Sequence, residues 1–188
     1  MRAGGGKSKG SAFERAVGKQ LSLWLTYNER PDIFARNVLS GGTFTRAVKA
    51  GGKSSHMPGD LMAAHPLAFE FLAHMLVECK HMASLSLENY LFDANGSSPM
   101  SRIVALAQSQ AEKANIDFMI VAKQNRRDPI VLVQAPIGRA LLAAIPSGRG
   151  GYRILPTHHF LHKGHICIMR LDDITMRASP RKFLDGIT

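Results

Sequence analysis

Two short apolar runs separated by a polar break constrain the fold more than any other part of the chain. The runs are DFMIVAK (117–123) and PIVLVQA (129–135), and the break is QNRRD (124–128). Apolar runs of this length, rich in β-branched residues and bounded by turn-forming residues, are typical of strands. We therefore predict a strand–turn–strand unit in the second half of the chain.

The segments around this unit alternate between helical and extended patterns. Apolar residues recur every three to four positions in residues 11–26 and 99–114, which predicts two helices, with Ser11 as a candidate N-cap of the first. The other predictions are strands at 59–64, within 68–81, at 151–155 and at 165–171, and a short helix within 172–187. This order predicts an α/β fold with a central mixed β-sheet flanked by helices.

One domain accounts for the chain. Its 188 residues suffice for a single core, and no repeat or linker divides them. We expect residues 1–10 to be a flexible basic N-terminus and residues 11–188 to form the domain. Residues 37–60, rich in Gly, Ser and Lys, indicate short extended pieces and loop. Trp24 falls on the apolar face of the first helix and is expected in the core.

The charge balance favours a polyanionic partner. Lys and Arg number 24 against 14 Asp and Glu, which gives a formal net charge of +10. Residues 33–59 and 129–171 contain basic residues and no acidic residue. Such concentrations of cations favour phosphate contacts, which release condensed counterions, so we expect a nucleic acid partner. A basic surface that serves only solubility is the alternative.

Signals for export and for membrane insertion are missing from the sequence. No apolar run approaches the roughly 18–20 residues of a membrane span, and the basic N-terminus leads into no apolar signal segment. The two cysteines, Cys79 and Cys167, are too few for a disulfide framework. We therefore expect a cytoplasmic protein without membrane contact.

An acid and a base interrupt the apolar stretch that ends in LVECKHM (76–82). On a strand, Glu78 and Lys80 share one face while Val77 and Cys79 share the other. Desolvating a lone charge is costly, so these two residues either form an ion pair on a half-exposed strand or belong to an active site. Asp60 begins the preceding predicted strand, and two such carboxylates with the Cys79 main-chain carbonyl suit Mg²⁺.

Taken in order, these residues resemble the PD-(D/E)XK nuclease superfamily. Its pattern is a Glu in the first helix, then an Asp, then Glu-x-Lys, and the corresponding residues are Glu14, Asp60, Glu78 and Lys80. Within the superfamily the chain most resembles phage-encoded Holliday-junction-resolvase-like nucleases. The further matching pieces are FER in the first helix, Arg36 with SGG (40–42), GDL, ECK, a Gln-bearing helix and the strand pair, over about residues 10–135 plus ICIMRLDDI.

The resemblance implies a restriction-endonuclease-like fold with a four-stranded mixed sheet. It implies Mg²⁺ or Mn²⁺ as the cofactor and hydrolysis of DNA that leaves a 5′ phosphate. The implied substrate is branched DNA in phage recombination or DNA processing, in the cytoplasm of the host cell. Symmetric cutting of a junction requires two active sites, so the resemblance also implies a homodimer.

Residue roles carry over by position. Asp60 and Glu78 would bind the metal directly, Glu14 would assist from the first helix, and Lys80 would be the catalytic lysine. Gln110 or Gln108 would orient the lysine or a water, and the spacing leaves both open. The expected DNA-binding residues lie in loops, at a turn and at a strand end: Arg36, Ser40, Arg46, Lys49, Lys53, Lys123, Arg126 and Arg127.

The chain departs from the superfamily pattern around its first Asp. The usual Pro before that Asp is displaced to Pro58, with Gly59 between. Asp60 and Glu78 are 18 positions apart, which predicts a long turn or an extra strand between them. Glu70 is a rival carboxylate, but no Lys follows it at plus two, so Glu78 is preferred.

A histidine cluster near the C-terminus offers a different function. His158, His159, His162 and His165 precede Cys167 at gaps that allow Zn²⁺ binding, although a loop that contacts DNA or solvent explains them equally well. Two other classes of protein therefore stay open. One is a DNA-binding module that kept the fold without turnover, and the other is a zinc-stabilised interaction protein.

Overall fold

The structure is a computed structural model whose described residues are 5–38, 58–146, 159–161 and 165–187. The strands are β1 (Phe34–Arg36), β2 (Leu61–Ala63), β3 (Met75–Met82), β4 (Asp117–Gln124), β5 (Ile130–Gln134), β6 (His159–Leu161) and β7 (Ile166–Arg170). The helices are α1 (Gly5–Leu25), α2 (Pro66–His74), α3 (Leu87–Leu91), α4 (Pro99–Ala114), α5 (Ala135–Ala144), α6 (Leu171–Arg177) and α7 (Pro180–Asp185). The predicted α/β class is confirmed.

A mixed sheet forms the centre of the fold. Its order in the described residues is β3-β4-β5-β7-β6, with β3 and β4 parallel and the other neighbours antiparallel. Parallel neighbours need a long crossover, which α3 and α4 supply. β4 and β5 are the predicted strand–turn–strand unit. The sheet has five described strands where the resemblance implied four, because the short β6 pairs with β7.

Apolar side chains cover both faces of this sheet. One face carries Val77 and Val121 and packs against α1, α2 and the helices near the C-terminus. The other face carries Leu76 and Ile120 and packs against α4. Burying each such side chain contributes about 1.5–3 kcal/mol, so both helix layers are held firmly on the sheet.

Helix α4 has the bounds that the sequence predicts, because its ends are marked by local chemistry. The Ser98 hydroxyl accepts a hydrogen bond from the Ser101 N–H at 3.1 Å, and Pro99 occupies the first turn. Asn115 ends the helix in the left-handed conformation, with φ of 54°.

Helix α1 begins earlier than predicted. It starts at Gly5, so Ser11 lies inside the helix and not at its N-cap. No proline separates residues 5–10 from the amphipathic segment, so turns add readily to a helix that is already nucleated. Residues 1–4 lie outside the described part, so the flexible N-terminus stays a prediction for them, whereas residues 5–10 are helical. Trp24 is confirmed in the core, where its ring N–H donates to the Ala178 carbonyl at 2.8 Å.

The connection from β2 to β3 is a helix, so the expected long turn or extra strand is wrong. Helix α2 begins at Pro66 after His65, whose ring Nδ1 accepts a hydrogen bond from the Leu67 N–H at 3.3 Å. Phe71 and Leu72 are buried on one side of it. The stretch from residue 66 to residue 82 therefore divides into an apolar helix and a strand with no break between them.

Several further features complete the comparison with the expectations from the sequence. Helix α5 follows β5 directly and was not predicted, and residues 172–187 hold most of two short helices in place of one. The predicted strand at 151–155 lies outside the described residues. Cys79 and Cys167 are free, buried thiols. Among the described helices, none combines the length and the hydrophobicity needed to cross a bilayer.

Candidate active site at the edge of the central sheet

The turn that carries Asp60 packs against the edge of β3 that faces away from β4. The Asp60 N–H donates to the Val77 carbonyl at 2.7 Å, and the Cys79 N–H donates to Asp60 Oδ2 at 2.8 Å. Asp60 is 7% exposed. These two bonds fix a buried carboxylate against the backbone of the strand that also carries Glu78 and Lys80.

Gly59 makes this close approach possible. Its φ is +107°, which side-chain-bearing residues rarely adopt, and a Cβ there would lie 2.7 Å from the Val77 carbonyl oxygen. Proline is excluded because its ring fixes φ near −65°. The displacement of the usual Pro to position 58 therefore has a steric cause.

Asn37 holds the same turn from the other side. Its N–H donates to the Asp60 carbonyl at 2.8 Å, and its side-chain amide donates to the Gly59 carbonyl at 2.9 Å. Asn37 directly follows β1 and is 7% exposed. Sequence reasoning missed this residue. Its place one position after Arg36 was visible, but no local pattern indicates which distant turn its amide contacts.

Glu78 and Lys80 share the face of β3 that carries Leu76, as the alternation predicted. Their side chains form an ion pair, and Lys80 Nζ also lies 3.9 Å from Asp60 Oδ2. The side chains of Glu78 and Asp60 are 14% and 10% exposed, and that of Lys80 is 33% exposed. One ammonium group therefore lies between two carboxylates that are largely withdrawn from water.

Burial and charge crowding shift the pKa values of both members of this pair upward. Burial, followed by repulsion from Asp60 and then Glu14, raises the pKa of Glu78, and attraction to Lys80 offsets only part of the rise. Burial alone lowers the pKa of Lys80, but attraction to Glu78 and Asp60 outweighs it, so the pKa lies above its ordinary value. The site has an excess of negative charge, and Lys80 stays an ammonium near neutral pH.

Glu14 reaches the site region from α1. Its carboxylate forms an ion pair with Arg36 at the end of β1, and the side chains are 14% and 31% exposed. The pair links the first helix to the strand that leads into Asn37. Glu14 is close enough to Glu78 to raise its pKa by repulsion.

The donor set fits a hard divalent cation bound by few protein ligands. Across the described ranges, there is no cluster of three or more His, Cys, Asp or Glu side chains that could hold a metal ion. Mg²⁺ requires only one or two carboxylates and keeps several waters. Asp60 and Glu78 supply two carboxylates. The Cys79 carbonyl points to the same free edge as its N–H, because both groups of a strand residue face one way.

The two candidate glutamines lie on opposite flanks of α4. Gln108 donates to Glu112 at 2.9 Å and lines a cavity with His165 and Ile166, on the side of the sheet near β7. Two positions along a helix correspond to a rotation of about 200°, so Gln110 lies on the flank toward β3. Gln110 is half-buried, whereas Gln108 is exposed.

Lys123 lies on the other face of the sheet from Lys80. It is in register with His81, whose ring packs on Phe13 of α1 at 5.6 Å between centroids. Arg126 and Arg127 are exposed in the turn after β4, and Arg126 has a positive φ of 61°. The turn is therefore a solvated tip beside the end of β3, and Lys123 does not approach the carboxylates across the sheet.

Several predicted residues fall outside the described part of the chain. Among the expected DNA-binding residues these are Ser40, Arg46, Lys49 and Lys53. Of the histidine cluster, His158 and His162 lie outside it too, while His165 is exposed beside the start of β7. The rival carboxylate Glu70 is exposed on α2. Cys79 is buried among apolar side chains, and burial raises the pKa of its thiol well above its ordinary value.

Comparison with known proteins gives one match. A family model described as "Phage putative PDDEXK endonuclease" matches residues 5–185, which is nearly the whole chain and includes every element described above. No curated protein and no solved structure matches the chain.

Proposed function

Because the chain belongs to the family of phage PDDEXK endonucleases, we propose that it is a metal-dependent endodeoxyribonuclease. The reaction is hydrolysis of a DNA phosphodiester at the free edge of β3. The observation that carries the proposal is the hydrogen bond from the Cys79 N–H to Asp60 Oδ2 at 2.8 Å. It holds one carboxylate beside the strand that presents Glu78 and Lys80.

Each residue of the site then has a distinct task. Asp60 and Glu78 would hold Mg²⁺ or Mn²⁺, and the bound cation would supply charge stabilisation for the phosphodiester under attack. Lys80, as an ammonium, holds the scissile phosphate and stabilises the negative charge that develops on it. Gln110 orients Lys80 or the attacking water from α4, and Glu14 assists the metal from α1.

DNA binding in this proposal depends on the basic loops. Among the expected contacts, Arg36 ends β1, Lys123 lies in β4, and Arg126 and Arg127 lie in the turn after β4. The others, Ser40, Arg46, Lys49 and Lys53, fall outside the described residues. Each phosphate contact releases counterions, so the DNA dissociation constant should rise steeply with salt. An affinity that stays flat between low and moderate salt would count against DNA as the partner.

The preferred DNA in this proposal is branched. Phosphate contacts carry little sequence information, so selection has to come from shape. A homodimer would hold two sites at fixed separation and favour a four-way junction that opens to match. The biological role would be phage recombination or DNA processing, in the cytoplasm of the host cell.

The test is incubation of the protein with a four-way junction, a flap and plain duplex, each with Mg²⁺ and with a chelator. We expect cleavage only with the cation, 5′ phosphate products and preferential competition by the junction over duplex. Cation-dependent cleavage of duplex and junction alike would support the nuclease function and contradict the preference for junctions. DNA binding without cleavage under every condition would contradict the nuclease function.

A DNA-binding module without turnover is the second candidate. It is favoured by the ion pairs Glu78–Lys80 and Glu14–Arg36, which neutralise the candidate ligands in the described structure. The two candidates differ in their response to the cation. A nuclease would cleave DNA only when the cation is present, whereas a binding module would bind DNA without cleaving it both with Mg²⁺ and with a chelator.

A further inference from the structure

We propose that Asn37 is the positioning residue of the site, which acts by holding the Gly59–Asp60 turn so that the Asp60 carboxylate meets the Cys79 N–H. The catalytic consequence rests on the nuclease function proposed above. The positioning itself is a property of the fold, and its test needs neither metal nor DNA.

Asn37 makes hydrogen bonds to both residues of the turn. The main-chain N–H of Asn37 donates to the Asp60 carbonyl at 2.8 Å, and the side-chain amide donates to the Gly59 carbonyl at 2.9 Å. Both bonds lie at a position that is only 7% exposed, where water competes poorly for them.

The turn needs such support because its own backbone is permissive. Gly59 has the widest conformational freedom of any residue type, and its φ of +107° is one of many conformations open to it. Asp60 contacts β3 through its N–H to Val77 and through the bond from Cys79. The side-chain amide of Asn37 fixes the glycine carbonyl, and with it the direction from which Asp60 approaches β3.

Asn37 is itself held in place by a strand that is fixed at both ends. At the start of β1 the Phe34 N–H donates to the Ser22 hydroxyl at 3.1 Å, and that hydroxyl donates to the Gly18 carbonyl of α1 at 2.7 Å. At the end of β1, Arg36 pairs with Glu14 of the same helix. The first helix therefore reaches the metal-binding carboxylate through β1, Asn37 and the turn.

Ser22 supplies a matched control. Ser22→Ala removes a buried hydrogen bond to the first residue of β1, whereas Asn37→Ala removes one at the residue after its last. Asn37→Asp is the conservative second variant. It keeps the shape but places an acceptor against the Gly59 carbonyl, and its added charge alone would favour a cation.

The first readout is amide hydrogen exchange of the wild-type protein and its variants by NMR, without metal or DNA. We expect the Cys79 amide to exchange at least about tenfold faster in Asn37→Ala and Asn37→Asp, relative to the Ile120 amide of β4 as the reference for global opening. In Ser22→Ala, which loosens only the far end of β1 and leaves both hydrogen bonds of Asn37 in place, the ratio of the two rates should rise by much less. An unchanged ratio in the Asn37 variants, or an equal change in all three, overturns the proposal.

The second readout is Mn²⁺ binding by electron paramagnetic resonance, together with the Mg²⁺ concentration for half-maximal cleavage. Loss of a group that orients a metal ligand typically lowers metal affinity about 10–100-fold. We therefore expect the Mn²⁺ dissociation constant and the half-maximal Mg²⁺ concentration to rise by that factor in the Asn37 variants, and by much less in Ser22→Ala. Faster Cys79 exchange in the Asn37 variants, combined with a wild-type protein that neither binds Mn²⁺ nor cleaves DNA, would retain the positioning role and contradict the nuclease function.

Discussion

Strands β3 and β4 are parallel neighbours of eight residues each, paired without a break from Met75–Asp117 to Met82–Gln124. Glu78 is in register with Ile120, and Lys80 with Ala122. Both β4 residues are fully buried under α4. At the same level of the same face, one strand therefore carries an acid and a base where the other carries apolar side chains.

The difference follows from the position of each strand in the sheet. β4 has a neighbour on each side, so charges there would be desolvated without partners. β3 is the edge strand, and its free side is met by the Asp60 turn, which leaves room for polar side chains and solvent. The edge strand carries the candidate chemistry, and its central neighbour holds that strand in place.

The largest expected effect is the loss of cleavage when a candidate metal ligand at the edge of β3 is replaced. Glu78→Gln and Asp60→Asn should each lower the cleavage rate by on the order of 1000-fold or more, because several kcal/mol of metal-based charge stabilisation are lost. DNA binding should stay nearly unchanged. Plasmid nicking and filter binding measure the two quantities.

Ile120→Val is the paired variant in β4. It should lower the free energy of unfolding by about 0.5–1.5 kcal/mol through loss of a buried methyl group, while the cleavage rate of the folded protein stays at the wild-type value. Near wild-type cleavage by either carboxylate variant would remove the assignment of the metal site.

The next effect concerns the base on β3. Lys80→Ala should lower cleavage by about 100-fold or more and leave Mn²⁺ binding in place, since an ammonium does not ligate a cation. Lys80→Arg should restore little, because the planar guanidinium does not match a compact point charge. Full activity of the arginine variant would reduce Lys80 to a general source of positive charge.

Much of β3, β4 and α4 follows from the sequence. Alternation on β3 places Glu78 and Lys80 together, and the bounds of α4 follow from Ser98, Pro99 and the helical period. Helix α2 was missed because its apolar residues run directly into β3, where period alone does not separate a buried helix from a strand. The α/β class is confirmed, and the roles of the site residues stay predictions.

The contacts around Asp60 were beyond sequence reasoning for a different reason. The hydrogen bonds from Asn37 and Cys79 join residues separated by about 20 positions and depend on the placement of β1 against β3. The Gly-Asp pair was seen as a departure from a motif, and only the approach to Val77 explains it. Tertiary contacts of this kind leave no periodic pattern in the chain.

A smaller effect tests whether the edge of β3 is as crowded as described. Gly59→Ala should lower the free energy of unfolding by about 1–3 kcal/mol, because a positive φ is strained and the new Cβ meets the Val77 carbonyl. Gly96→Ala is the matched control, since Gly96 also has a positive φ but open space around its Cβ. Urea denaturation of both variants should show the larger loss of unfolding free energy for Gly59→Ala. Equal losses would mean that the contact with the Val77 carbonyl adds nothing to the strain of a positive φ.

The smallest expected effect concerns Asp93, a carboxylate in the crossover from β3 to β4. Its pKa is lowered, whereas that of Glu78 is raised. Hydrogen bonds from the Ser101 hydroxyl and the Ser98 N–H hold the pKa of Asp93 well below its ordinary value of 3.8. A lowered folded pKa adds stability that is present above 3.8 and is lost as the pH falls below it. Asp93→Asn should therefore lower the urea midpoint slightly at pH 7, and the gap to wild type should narrow toward pH 3. A gap independent of pH would point to lost hydrogen bonds alone.

The central claim is that the carboxylates of Asp60 and Glu78 together bind a divalent cation at the edge of β3, beside Lys80. Mn²⁺ binding by electron paramagnetic resonance tests it most directly, with wild type, Asp60→Asn, Glu78→Gln and the exposed control Glu70→Gln measured without DNA. We predict binding by wild type and by Glu70→Gln, and at least about tenfold weaker binding by the two site variants. Equal Mn²⁺ affinity in all four proteins would contradict the claim.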